Sequence, residues 1–175
     1  MDTEHRAVNR RGMLFLLLTA FSGCGYQLSG QPGTIPVALR QLAVPIFTNK
    51  TAVPGIERLF TAAVRERLLT DGRVTLVPSV GAVAVLHGEV TRYHLQVLAT
   101  NRDDRAVEYR VEAEMRLTVE DVQQGRIIVQ QPVTATAEYV VSERLVPTDV
   151  ARERALQAVA REAGERVVSL ILDRF

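Results

Sequence analysis

From Val107 to Glu120, apolar and polar residues take turns without a break. Val107, Tyr109, Val111, Ala113, Met115, Leu117 and Val119 fall on one side of the alternation. Glu108, Arg110, Glu112, Glu114, Arg116, Thr118 and Glu120 fall on the other. A period of two puts successive side chains on opposite faces of a strand. A helix would scatter the same apolar positions round its circumference. The segment is a predicted strand with one dry face and one polar face. Gln123-Gln124-Gly125 turns the chain, and residues 126–141 return with Val133, Ala135, Ala137 and Tyr139 on one face. Pro132 interrupts that strand, which predicts a bulge or an edge position. Upstream, residues 83–98 alternate in two phases. Ala84, Leu86, Gly88 and Val90 share a face, and so do Tyr93, Leu95 and Val97, but one residue out of step. A bulge near Thr91 and Arg92 would absorb the extra residue. Residues 101–105 are polar and predict a hairpin loop.

The pattern on either side is helical or short. Residues 39–47 predict a strand with Leu42, Val44 and Ile46 on one face, and Pro45 restricts it to an edge or a bulge. Residues 48–54 read as a turn. Residues 55–70 carry Ile56, Leu59, Phe60, Ala63 and Val64 in one stripe, with Arg58, Arg65 and Glu66 off it, and predict a helix. Asp71-Gly72 stops it, because Gly takes the left-handed conformation that a helix end needs. Residues 74–77 predict a short strand. After Pro147, Thr148 or Asp149 is a suitable N-cap. Leu156, Val159, Ala163, Val167 and Leu170 then form a helical stripe. Gly164 inside that helix costs about 1 kcal/mol relative to Ala. The fold expected is α+β: two amphipathic helices on one face of a small, mostly antiparallel sheet of four to five strands, its other face polar.

The amino terminus follows a different logic. Arg6, Arg10 and Arg11 precede the apolar run that begins at Met13, and the small residues Ser22 and Gly23 precede Cys24. The run is far short of the roughly 20 residues that span a bilayer. Residues 1–23 therefore read as a secretory leader. The pattern resembles the lipobox of bacterial lipoproteins, which implies that Cys24 takes a diacylglycerol and becomes the first residue of the mature chain. An ordinary signal peptide, or a buried free Cys, is the plainer alternative. Residues 24–38, rich in Gly, Pro and Ser, read as a lipidated tether, and residues 39–175 as a single domain. Gly25 stands where an Asp would mark inner-membrane retention, so the resemblance implies the outer membrane.

Composition narrows the function. Of 21 basic and 20 acidic residues, the leader removes three and two, leaving a formally neutral chain without a basic run. Nucleic acid is thereby excluded as a partner. A single Cys permits no internal disulfide, and no Cys/His spacing suits a metal. Outside the leader the only histidines are His87, read as structural, and His94, read as lying on the polar face; neither has a nucleophile nearby in sequence. The expectation is a protein that binds, without catalysis and without a cofactor beyond the lipid on Cys24.

Cys24-Gly25-Tyr26-Gln27-Leu28, then Leu86-His87-Gly88-Glu89-Val90, a hairpin, Val107-Glu108-Tyr109-Arg110-Val111 and a C-terminal amphipathic helix follow in order. That succession resembles the LptE family of lipopolysaccharide-assembly lipoproteins. The resemblance implies a domain that plugs an outer-membrane β-barrel of the LptD type, a pair that delivers lipopolysaccharide to the outer leaflet, and direct contact with lipopolysaccharide. It implies Arg102, in the hairpin loop, as a lipopolysaccharide contact, with Arg105 beside it and Arg144 ahead of the last helix. The polar face of Glu108, Arg110, Glu112, Glu114 and Arg116 then meets the partner. The plainer readings are a face that meets only solvent and arginines that are solvated loop charges. Two other functions stay open: an envelope lipoprotein that binds peptidoglycan or a periplasmic protein without a barrel, and a periplasmic hydrolase.

Overall fold

The computed structural model describes residues 35–102, 105–140 and 148–173. A 3-10 turn, Val37–Arg40, leads into strands β1 (Gln41–Ala43) and β2 (Thr48–Asn49), helix α1 (Ile56–Asp71) and strand β3 (Thr75–Leu76). Three long strands follow, β4 (Ala84–Thr100), β5 (Ala106–Asp121) and β6 (Arg126–Val140), and then helix α2 (Thr148–Leu172). The sheet has six strands in the order β3-β1-β4-β5-β6, with β2 also on β4.

The α+β class agrees with the sequence reading; the strand count and the pairing do not. β1 pairs with β3 and β4 in parallel, and β2 pairs with β4 in parallel, so the sheet is mixed. Two-residue strands have no period to read. The expected strand over residues 39–47 is broken: only Gln41–Ala43 pairs, and the chain rejoins β4 at Thr48, inside the expected turn. Ala43 lies opposite Val85 and Thr48 opposite Glu89, so five steps on this edge face four on β4. Pro45 sits in the extra length, and Ile46 turns out to solvent while Val44 and Phe47 turn in.

Helix α1 pins this link. The Phe47 N–H donates to Thr61 Oγ1 at 2.9 Å, and the Thr61 hydroxyl donates to the Glu57 carbonyl at 2.6 Å. The Arg65 guanidinium donates to the Val44 carbonyl. Phe47 is thereby held across Gly88, where a β-carbon would stand 2.6 Å from its ring. Only glycine fits under that ring on the dry face of β4.

The antiparallel half follows the alternation. Val111, Ala113, Met115, Leu117 and Val119 are all fully buried. Val90 pairs with Met115 and Arg92 with Glu114, which leaves Thr91 as the extra residue, with its hydroxyl on the Glu114 carbonyl at 3.1 Å. The bulge keeps Leu86 and Val90 below it, and Tyr93 and Leu95 above it, on one face. Pro132 lies opposite Arg116 on β6, the outer strand, the edge position where proline is tolerated. Phe60, Val64 and Leu68 of α1 and Val159, Ala163, Val167 and Ile171 of α2 join the sheet's dry face in one core. The Val, Leu, Ile and Phe side chains among them each contribute about 1.5–3 kcal/mol on full burial. Helix α2 already includes Thr148 and carries Asp149 in its first turn, so neither is the cap; a carboxylate there still favours the helix N-terminus, and the residue ahead of Thr148 lies outside the described residues.

Candidate functional site

The polar face of the sheet is built by register. Arg92 reaches Glu114 at 3.1 Å, Arg116 reaches Glu89 at 3.5 Å, and Arg110 reaches Glu138 at 2.6 Å. These ion pairs tie β4 to β5 and β5 to β6. All are solvent-facing, and each contributes at most about 1 kcal/mol. Glu112 lies opposite His94 on one side and Thr136 on the other, and Glu108 lies opposite Val140. Among the described residues, Glu108 and Glu112 have no ion pair, so the face carries more carboxylate than guanidinium. The five residues expected on this face are all there. His87 and His94 are exposed on it as well, so His87 packs against nothing in the core.

The arginines divide. Arg102 is exposed in the β4–β5 turn. Arg105 is exposed at the other side of that turn, which Asn101 closes: its N–H donates to the Arg105 carbonyl at 2.8 Å, and its Oδ1 accepts the Arg105 N–H at 3.0 Å. The turn therefore brings Arg102 and Arg105 to one tip. Arg144 and Cys24 lie outside the described residues.

Sequence reasoning missed what lies below that tip. With 17 residues, β4 runs about 56 Å, while the 25 residues of α2 reach about 37 Å. The dry face therefore outruns its helices. Leu95 is 37% exposed and Val97 49%, on the same side as the core. Tyr109 and Tyr139, opposite each other in register, stack with ring centroids 5.0 Å apart. Burial raises the Tyr139 phenol above its ordinary pKa, with lesser upward pushes from Tyr109 and Tyr93, against Arg152. An apolar apron thus continues toward the turn that carries Arg102 and Arg105. The lengths of the periodic segments were the available signal.

At the opposite end, Arg73 joins the two helix termini. Its guanidinium donates to Asp71 at 2.7 Å, to Asp173 at 2.8 Å and to the Leu172 carbonyl at 3.4 Å. Both carboxyls are held below the ordinary carboxylate range, chiefly by these hydrogen bonds. Among the described residues no helix is long and apolar enough to cross a membrane, and no group of three His, Cys, Asp or Glu side chains is placed to hold a metal.

A family model described as LptE, lipopolysaccharide-assembly, matches residues 39–173. No curated protein matches the sequence. Solved structures do. Protein XCC0632 from Xanthomonas campestris is 12% identical with a TM-score of 0.57, over 82% of this chain and 90% of its own. Rare lipoprotein B from Shewanella oneidensis is 17% identical with a TM-score of 0.50, over 74% and 91%. A minor lipoprotein from Acinetobacter baumannii is 19% identical with a TM-score of 0.50, over 79% and 96%. At such identities the likeness is one of fold.

Proposed function

The chain belongs to the LptE lipopolysaccharide-assembly family, and from that premise we propose that it is an outer-membrane lipoprotein of the lipopolysaccharide translocon. Residues 1–23 are a leader, Cys24 is acylated, and the segment from Cys24 to Ile35, where the chain enters the core, tethers the domain to the membrane. The domain plugs a barrel of the LptD type and works by binding, without catalysis. The family match over residues 39–173 carries this reading.

The geometry supports it in two places. A plug in a polar lumen needs a hydrogen-bonding outer surface, and the face of Glu108, Arg110, Glu112, Glu114 and Arg116 offers one. Lipopolysaccharide combines phosphates with acyl chains. Arginine forks suit the phosphates, and the apron of Leu95, Val97 and Tyr109 suits the chains; Arg102 and Arg105 stand at its end. Arg144 is the third contact proposed.

Tagged protein, recovered from envelopes in mild detergent and identified with its partners by mass spectrometry, tests the reading. A barrel of the LptD type is expected among them. Recovery of peptidoglycan or soluble periplasmic proteins alone would replace this function with that of a barrel-free envelope module.

A further inference from the structure

A cleft lies along the crossing of the two helices. Ala63, Glu66, Arg67 and Thr70 of α1 and Arg161 and Glu165 of α2 line it, around a volume of about 170 Å³. At its floor Ala63 meets Gly164, and no side chain separates the helices there. A site on two packed helices is held more precisely than one on loops. The walls carry two guanidinium groups and two carboxylates, and among the described residues none of the four joins an ion pair. Their nearest neighbours in sequence are engaged elsewhere or badly placed. Asp71, one turn on from Arg67, gives its carboxylate to Arg73 at 2.7 Å. Glu165 follows Arg161 by one turn, the weaker order for such a pair on a helix. The Thr70 hydroxyl donates to the Glu66 carbonyl at 2.9 Å, so toward the cleft it offers only acceptor capacity.

We propose that this cleft binds a small zwitterion of the phosphate–ammonium type, the phosphoethanolamine group. The volume falls below the roughly 300–1,000 Å³ of sites for drug-sized ligands, so the occupant is a group of a few heavy atoms. The four charges of the walls cancel. A bare anion would face both carboxylates, and a bare cation both guanidinium groups. A molecule that carries both signs meets a partner for each. The planar forks of Arg67 and Arg161 match the oxygens of a phosphate. Glu66, Glu165 and the Thr70 oxygen are acceptors for the three N–H donors of a primary ammonium. The site is separate from the polar sheet face and from the apolar apron. It requires neither the barrel partner nor acylation of Cys24, so it stands or falls apart from the proposed function. The same group occurs as a phospholipid headgroup and as a substituent on the sugars of lipopolysaccharide.

Calorimetric titration of the full chain in mild detergent at low salt tests it with three soluble probes. Phosphorylethanolamine should bind saturably at one site. Phosphorylcholine, which has no ammonium hydrogen, and inorganic phosphate should each bind about ten-fold more weakly. Arg67→Gln and Arg161→Gln should each weaken phosphorylethanolamine about ten-fold. Arg154→Gln makes the same charge change at an exposed position of α2 outside the cleft and should leave binding unchanged. Glu66→Gln combined with Glu165→Gln should erase the preference for phosphorylethanolamine over inorganic phosphate, a change in selectivity that a damaged fold would not produce. Three results overturn the proposal: no saturable binding, equal affinity of the parent for inorganic phosphate, or a loss in Arg154→Gln as large as in Arg67→Gln. Competition then names the source. Displacement of the probe by phosphatidylethanolamine in mixed micelles marks a phospholipid headgroup. Displacement by lipopolysaccharide that carries phosphoethanolamine, and not by its unsubstituted form, marks the glycolipid.

Discussion

Gly164 of α2 lies so close to Ala63 of α1 that a β-carbon at position 164 would stand 2.9 Å from the Ala63 carbonyl oxygen. The two helices approach backbone to backbone at this point, and the helix-weakening glycine is the residue that permits it. Gly164→Ala reverses the usual sign. In an open helix it would stabilise by about 1 kcal/mol; here it should destabilise by about 1–3 kcal/mol through overpacking. Urea unfolding measures it, and a stabilised variant would contradict the close approach.

Phe47 and Gly88 make a second contact of this kind, from α1-pinned link to strand. Gly88→Ala should cost about 1–3 kcal/mol. Combined with Phe47→Leu, the loss should be smaller than the sum of the two single losses, because the shorter side chain frees the space. A double-mutant cycle in thermal unfolding measures the coupling; strict additivity would show that the ring does not cover position 88.

Acidification should loosen the helix termini. Asp71 and Asp173 have pKa values lowered from 3.8 by Arg73. A lowered folded-state value stabilises the fold above the unfolded pKa, and the stabilisation is lost as pH falls through 3.8 toward the lowered value. Arg73→Gln should therefore be less stable than the parent at neutral pH, by no more than about 1 kcal/mol for so solvent-screened a cluster. The difference should shrink below that pH. Equal differences at neutral and acidic pH would remove the ion pairs as the cause.

On the polar face, function and stability should separate. Arg110→Glu places like charges opposite Glu138 on an exposed strand and should cost about 1 kcal/mol or less. Recovery of the barrel partner should fall much further than stability. Unchanged recovery would mean that this face meets solvent alone.

Cys24→Ser should release the protein from the membrane fraction into the soluble periplasmic fraction. Two or more acyl chains anchor stably, and a chain without any has no comparable hold. Full retention of the serine variant in membranes would sink the acylation.

The sequence discloses the long elements because alternation over many residues has one structural meaning. β5 could be read from Val107 to Val119 by pattern alone, and the slip at Thr91 showed as a change of phase. β3 was legible as the short strand over residues 74–77 and β1 as part of the strand over 39–47, but β2 and the parallel pairing of all three escaped, since two or three residues carry no period. Their places are set by the free edge of β4 and by Thr61 and Arg65 reaching across from α1. At the site, the alternation put Arg110, Glu114 and Arg116 on the correct face. It could not supply Glu138, Arg92 or Glu89 as partners, because cross-strand register comes from the turns and bulges between strands. The uncovered apron required comparing a strand's length with a helix's, a tertiary quantity that no local window contains.

The extra residue at Thr91 fixes the parity of β4 from Arg92 to Val97, where the next register shift falls. A chain lacking it would turn Tyr93, Leu95 and Val97 outward and bring Arg92, His94 and Gln96 against the hydrophobic side. Between the bulge and Val97, single-residue insertions and deletions act as frameshifts in space. Changes of two residues leave the inside and outside where they were.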